Sequence, residues 1–224
     1  MSSSRAHRLS VCTVTINSAQ TLEPWVESVR GYADEVLVVV DAASEDATYE
    51  VARRHADRVL VTEHPQYGEK VFDWALRQTN GDWIILLSDD EVISDAFGQH
   101  AAGLMADRDV THYAFDRRWV VRHGTGYGWL RTYPWYPDVS LRMVRNIGGL
   151  YWNPLPLHSP IKVAGAGRTL LEHEGALYHL DLVWKTRGER ERKAYERYGG
   201  QEADFYLAEG NYGADDVVAI DDIN

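Results

Sequence analysis

The stretch that constrains this chain most is Trp83-Ile84-Ile85-Leu86-Leu87, followed at once by Ser88-Asp89-Asp90-Glu91. The apolar run, set off upstream by Asn80-Gly81-Asp82, reads as a strand buried on both faces, as in a parallel sheet with helices on each side. In an open α/β sheet, ligands bind just beyond the carboxyl ends of the strands. This strand ends in three adjacent carboxylates. Such groups repel one another unless a cation sits among them, so a hard divalent metal is a natural partner. The structural alternative is an acidic turn leading into the next helix, with Ser94 as its N-cap.

Upstream, the chain alternates strand and helix. Residues 9–16 (LSVCTVTI) form an apolar run that stops at Asn17-Ser18. Leu22, Trp25, Val26 and Val29 recur at helical spacing and predict an amphipathic helix over 21–32. Residues 35–40 (EVLVVV) make a second buried strand, ending at Asp41. Asp46 and Thr48 are placed to cap a helix reaching about His55, and 58–62 (RVLVT) is a third strand. Val71, Trp74, Ala75 and Gln78 mark another helix ahead of the strand at Trp83. This order predicts an α/β fold: a doubly wound, mostly parallel central sheet with helices on both faces.

Beyond Asp90 the pattern predicts a mixed second half. A helix is expected over 93–105, strands over 112–121, 139–144, 161–163 and 176–180, and a charged helix over 185–198 stopped by Gly199-Gly200. Gly124-Thr125-Gly126-Tyr127-Gly128 does not lie between a strand and a helix, so it reads as a mobile lid. The whole reads as a single domain, 1–224, with a nucleotide-type first half (8–110), a mixed second half (111–200) and an acidic C-terminal extension (201–224).

Composition narrows the classes. A chain of 224 residues can bury a sizeable core, and its single cysteine, Cys12, excludes an internal disulfide and a cysteine-based zinc centre. Cys12 lies in an apolar strand and reads as a small core residue. No apolar run approaches bilayer length and residues 1–8 lack an apolar signal core, so the cytoplasm is the expected compartment. The net charge of -11 is uneven. Residues 199–224 hold seven acids and no lysine or arginine, which reads as a solvated tail or partner-binding extension. Arg117, Arg118, Arg122, Arg131, Arg142 and Arg145, by contrast, gather in a Trp- and Tyr-rich stretch. In an acidic chain that points to a locally held anionic ligand more than to coating of nucleic acid.

No Gly-rich phosphate signature follows the first strand, which argues against a dinucleotide-binding Rossmann fold or a P-loop. What remains are acids at two strand ends, Asp41 and Asp89-Asp90-Glu91. A carboxylate at a strand end can accept hydrogen bonds from a base edge or ribose hydroxyls. An acid cluster can hold a metal that neutralises a diphosphate. Lys70, near the start of a helix close to the site, is placed to contact phosphate.

These residues resemble glycosyltransferase family 2, whose members have the GT-A fold. The resemblance is carried by Ile16-Asn17 at the end of the first strand and by Val39-Val40-Asp41-Ala42-Ala43-Ser44-Glu45-Asp46-Ala47-Thr48 in place of the family's VVD-x-x-S-x-D-x-T turn. Asp82-Trp83 through Ser88-Asp89-Asp90-Glu91 stands for its metal strand, DW followed by apolar residues and D-A-D-E. The second half resembles the lipopolysaccharide-core branch through Trp135-Tyr136-Pro137-Asp138, Leu141-Arg142, Leu157-His158 and Tyr178-His179.

The resemblance covers about residues 8–198. It implies an enzyme that moves a sugar from a nucleotide-diphosphate-sugar donor to a hydroxyl-bearing acceptor with inversion, using Mn2+ or Mg2+. It implies nucleotide contacts from Asn17, Asp41 and Ser44 and a metal held by Asp90 and His179. Ser88 stands at the first Asp of D-A-D, so the ribose contact falls to Ser88 or shifts to Asp89. Ser159 stands where the branch has the Glu of V-H-E.

In an inverting transfer a carboxylate or histidine takes the proton of the attacking hydroxyl. Asp138, among aromatics that suit sugar stacking, is the first candidate, His158 the second and Asp181 the third. Two other readings use the same residues. One is a phage-type transferase acting on modified nucleic-acid bases, with the 117–145 arginines on phosphates. The other is a catalytically silent sugar- or nucleotide-binding module, suggested by Ser88 and Ser159.

Overall fold

The computed structural model describes residues 7–66, 68–148, 151–152, 161–197, 199–200, 203–208 and 211–220. The first part runs β1 (Leu9–Thr15), α1 (Leu22–Arg30), β2 (Glu35–Asp41), α2 (Thr48–His55), β3 (Arg58–Thr62), a 3-10 turn (Gly68–Lys70), α3 (Phe72–Arg77) and β4 (Trp83–Leu86). β1 pairs in parallel with β2 and β4, and β2 with β3. Parallel neighbours need crossover connections, and the helices supply them on both faces. The side-chain period of two divides the strands accordingly. Val11, Val36, Val38, Trp83 and Ile85 share a core with Leu22, Trp25 and Val26 of α1. Cys12, Leu37, Val39, Ile84 and Leu86 share a separate core with Ala75 and Leu76 of α3. Burial, reinforced by the charge of Glu35, pushes the Cys12 thiol up to about 12, as befits an inert packing residue.

The chain continues through β5 (Glu91–Ile93), α4 (Asp95–Ala106), β6 (His112–His123), β7 (Gly126–Leu130), β8 (Val139–Arg145), β9 (Tyr151–Trp152), β10 (Ile161–Lys162), β11 (Gly167–Thr169) and β12 (Leu177–His179). It ends with α5 (Asp181–Trp184), α6 (Arg187–Arg192), a π-helical turn (Lys193–Arg197), α7 (Ala203–Tyr206) and β13 (Val217–Ile220). The main sheet has the order β13-β7-β6-β8-β4-β1-β2-β3, so β8 joins the parallel half to an antiparallel extension. β12 runs between β5 and β6, antiparallel to the first and parallel to the second. α4 lies on the same core as α1, through Phe97, Ala101 and Leu104.

Three expectations are corrected. The glycines of 124–128 do not make a lid. Gly124 and Thr125 turn a hairpin between β6 and β7, and β7 is paired on its other side by β13. Gly128 is required by close approach: a Cβ there would lie 2.5 Å from Val217 Cγ1 and 2.9 Å from the Val218 carbonyl. The acidic end is not a free tail over its described residues, because Tyr206 and Ala208 pack with Trp119, Leu130 and Trp135, and β13 extends the sheet. The single helix expected over 185–198 is instead α6 followed by the π-helical turn.

The glycine contact gives a test. Gly128→Ala should overpack the β7–β13 pair at a cost of about 2 kcal/mol. In a chain of this size that lowers Tm by roughly 4–8 °C. A melting curve that superimposes on wild type would show that β13 is not held there.

Candidate active site

Strand direction brings the first set of predicted residues together. The carboxyl ends of the parallel strands face one edge of the sheet, and Asp41 closes β2 there with 4% exposure. One Asp41 oxygen accepts from the Ala43 amide at 2.9 Å, and the other lies 2.7 Å from His64 Nδ1, just past the end of β3. Asn17, after β1, takes a left-handed backbone (φ 52°), and its side-chain oxygen accepts from the Glu45 amide at 2.8 Å. The Asn17 amide donates to Ser44 Oγ at 3.4 Å. The turn after β1 and the turn after β2 are thus stitched into one surface. Asp89 joins it from the turn after β4, where its Oδ2 accepts from Thr15 Oγ1 at 2.6 Å and from the Ser18 hydroxyl. Lys70 stands in the 3-10 turn after β3 and donates to Gln66 Oε1 at 2.7 Å.

The second cluster depends on β12. Its register sets His179 opposite Glu91 of β5 and beside Trp119 of β6. The Leu180 amide donates to the Asp90 carbonyl at 2.7 Å. As a result His179 Nε2 lies 3.4 Å from Asp90 Oδ1. Asp181, at the start of α5, completes a group in which one ligand atom from each of Asp90, His179 and Asp181 lies within 4.8 Å of the others. All three are buried.

Two carboxylates and an imidazole are the donor set of a hard-to-borderline divalent cation. Among the described residues His179 Nδ1 and Asp181 Oδ2 are buried without a hydrogen-bond partner, which is costly unless a ligand or water meets them. The group therefore fits a metal such as Mn2+ or Mg2+. Two lysines also stand on it. Lys185 Nζ lies 2.5 Å from Asp90 Oδ2 and 2.7 Å from Asp181 Oδ1, and Lys193 Nζ lies 3.3 and 2.6 Å from the same atoms. Although burial opposes charge, Lys185 and Lys193 hold the Asp90 carboxyl well below the usual carboxylate range.

Glu91 points elsewhere. It is fully buried and takes a two-pronged ion pair from Arg142 (2.8 and 2.7 Å), with Arg117 Nη1 at 3.3 Å and the Ser88 amide at 3.0 Å. Arg117 also reaches Asp138 Oδ2 at 2.6 Å, and Trp119 Nε1 donates to that same oxygen at 3.2 Å. The Trp119 ring meets His179 edge-on, with centroids 4.1 Å apart. Asp138 is therefore one side chain away from the Asp90 cluster.

Most of the arginines expected to wait for an anionic ligand are engaged inside the protein. Arg118 pairs with Asp116 and Glu172. Arg145 donates to the Asp107 and Val110 carbonyls and lies over Trp83, and Arg122 lies over Tyr127. His158 and Ser159 lie outside the described residues.

Sequence reasoning had Asp181 as a proton acceptor and missed its place beside Asp90. The signal was the spacing His179-x-Asp181, followed by Lys185 one turn later. His64 carried no local signal, because only the β2–β3 pairing brings it to Asp41.

A doubly wound sheet that gathers carboxylates and a histidine at its carboxyl edge, extended by antiparallel strands, is a GT-A fold. The chain belongs to glycosyl transferase family 2, whose model matches residues 10–172. It is 29% identical over 125 residues to an uncharacterized glycosyltransferase of Rickettsia bellii, covering 55% of this chain and 42% of that protein. It is also 30% identical over 91 residues to a TPR repeat-containing protein of Synechococcus elongatus, covering 40% of this chain and 22% of that protein. The chain thus spans less than half the length of either relative.

Among solved structures, residues 1–349 of Staphylococcus aureus TarS align with a TM-score of 0.45 and 20% identity, over 62% of this chain and 47% of that one. Mycobacterium tuberculosis glucosyl-3-phosphoglycerate synthase, solved with Mn2+, UDP and glucosyl-3-phosphoglycerate, aligns with a TM-score of 0.42 and 18% identity, over 51% and 44%. No helix among the described residues is long and apolar enough to cross a membrane.

Proposed function

We infer that this chain carries the catalytic site of a glycosyltransferase. It takes a sugar from a nucleotide-diphosphate donor and passes it, with inversion, to a hydroxyl acceptor. The observation that carries the reading is the meeting, at one sheet edge of a family 2 domain, of the Asp41 turn with the Asp90, His179 and Asp181 cluster.

Asp41, with Asn17 and Ser44 bracing the turn, accepts hydrogen bonds from the nucleoside. Asp89, oriented by Thr15 and Ser18, stands for the ribose contact. Lys70 is the candidate phosphate contact. Asp90, His179 and Asp181 hold the divalent cation, Mn2+ or Mg2+, which when bound offsets the charge of the departing diphosphate. Asp138, fixed by Arg117 and Trp119, takes the proton of the acceptor hydroxyl. In this reading both halves of the sheet form one domain, working in the cytoplasm. The internal pairing of Arg117, Arg118 and Arg142 speaks against a nucleic-acid acceptor, because those guanidinium groups are already engaged.

The test is ligand-linked stability. UDP, GDP, ADP and TDP, each with Mn2+, are screened by thermal shift, followed by sugar release from the matching nucleotide sugar. A nucleotide at about 100 times its Kd adds about 2.7 kcal/mol, a Tm rise of roughly 5–10 °C. Asp41→Ala should lose most of that shift whichever sugar is attached. A wild-type chain indifferent to every nucleotide would overturn the reading.

A further inference from the structure

The two lysines on the metal cluster pose a problem of charge. Asp90 and Asp181 bring two negative charges to a buried site, and Lys185 and Lys193 cancel them. Neither lysine is a surface group that happened to fold inward. Lys185 closes α5 one turn after Asp181, with a side chain 27% exposed. Lys193 opens the π-helical turn, 14% exposed, with its ammonium 4.6 Å from the Tyr206 ring centroid. π-helical turns of this kind recur at functional sites.

A divalent cation on the other oxygens, Asp90 Oδ1 beside His179 and the unpartnered Asp181 Oδ2, would face two ammonium groups across the same two carboxylates, and like charges so close in a buried site repel strongly. If a metal enters, the lysines must leave. A lysine is a compact charge on a flexible four-carbon stem, so it can move without moving its helix. The anion that arrives with the metal is the donor's diphosphate, which as a sugar ester carries two negative charges. The charges then balance in both states. Two ammonium groups face two carboxylates beforehand. Afterwards the metal faces the carboxylates and the ammonium groups face the diphosphate.

We propose that Lys185 and Lys193 are exchangeable internal cations: they hold Asp90 and Asp181 until a divalent metal binds, then swing to the diphosphate of the donor. This rests on the nucleotide-sugar reading above and adds to it two positioning residues for the leaving group. Metal binding and diphosphate binding become coupled, since the first frees the groups that the second needs.

The experiment measures two affinities on the full chain, in wild type and in Lys185→Met and Lys193→Met. Mn2+ alone is titrated by electron paramagnetic resonance, and UDP is titrated at saturating Mn2+ by calorimetry. Each variant should bind Mn2+ at least fivefold tighter, because a competing cation is gone, and UDP at least tenfold more weakly. A residue that only props up the fold would weaken both. Variants that bind Mn2+ no tighter, or UDP as well as wild type, overturn the proposal.

Should the variants fail to fold, lysine labelling of the wild-type chain read by mass spectrometry gives the same answer. Lys185 and Lys193 should react slowly alone, faster with Mn2+, and slowly again with Mn2+ and UDP. Unchanged reactivity across the three states overturns the exchange. Wild type that binds none of UDP, GDP, ADP and TDP fails the nucleotide-sugar reading itself, and where another of the four binds in place of UDP the same titrations use that nucleotide. Wild type that binds UDP beside unaffected variants fails only the lysine exchange.

Discussion

Replacing Asp90 by asparagine is expected to reduce sugar transfer by on the order of 10²–10³-fold, the usual loss when one preorganised electrostatic group is removed from a transition state. The substitution keeps the shape but removes one of the two carboxylate charges of the proposed metal cluster, leaving Asp181 as its remaining acid. Donor binding at low Mn2+ should weaken in parallel, and raising Mn2+ should restore part of it. Asp90 also neutralises Lys185 and Lys193, so some stability is lost as well. A melting curve taken beside the assay separates the two effects. If Asp90→Asn folds, turns over like wild type and needs no extra Mn2+, the cation does not sit at Asp90.

Glu91→Ala should damage the fold severely. Glu91 is fully buried and carries the charges of Arg142 and Arg117, whose side chains are 18% and 23% exposed. Breaking a buried ion pair from one side costs about 3–5 kcal/mol, here because Arg142 loses its carboxylate and Arg117 keeps only Asp138. For a chain of this length that is a Tm loss of roughly 6–20 °C.

The effect has a pH signature. Burial raises the Glu91 carboxyl, but Arg142 and then Arg117 outweigh it and lower it from 4.5 to about 2. A carboxyl lowered in the folded state stabilises fully above its unfolded value and loses that contribution as pH falls towards the folded value. The gap between wild type and Glu91→Ala should therefore be constant at neutral pH and narrow between about pH 4.5 and pH 2. Asp90 is present in both proteins, so it cancels in the difference. Urea unfolding at pH 7, 4 and 3 measures it, and a gap that stays constant to pH 3 would mean the arginines do not hold Glu91.

The parallel half was legible because its signals are local. Leu9–Thr15, Glu35–Asp41 and Trp83–Leu86 are apolar-rich and almost wholly buried on both faces, the pattern of a sheet covered by helices on both sides. Strand direction then carries Asp41 and the Asp89-Asp90 pair to one edge, so the position of these acids follows from the sequence alone.

Tertiary structure decided the rest. His179 and Asp181 stand about ninety residues from Asp90, and only the antiparallel pairing of β12 with β5 brings them together. Register is a long-range property, because a slip of one residue would turn His179 to the opposite face. Periodicity in 185–198 announced a charged helix but not that Lys185 and Lys193 would turn inward onto two buried carboxylates. The glycines of 124–128 looked like flexibility, yet Gly124 turns a hairpin with φ 58° and Gly128 serves close strand packing, because β13, nearly ninety residues later, lies against it. The arginines of 117–145 looked available and are mostly engaged by acids and carbonyls from other strands and loops. Composition reports how many charges a chain carries, and only the packed structure reports which ones are already neutralised.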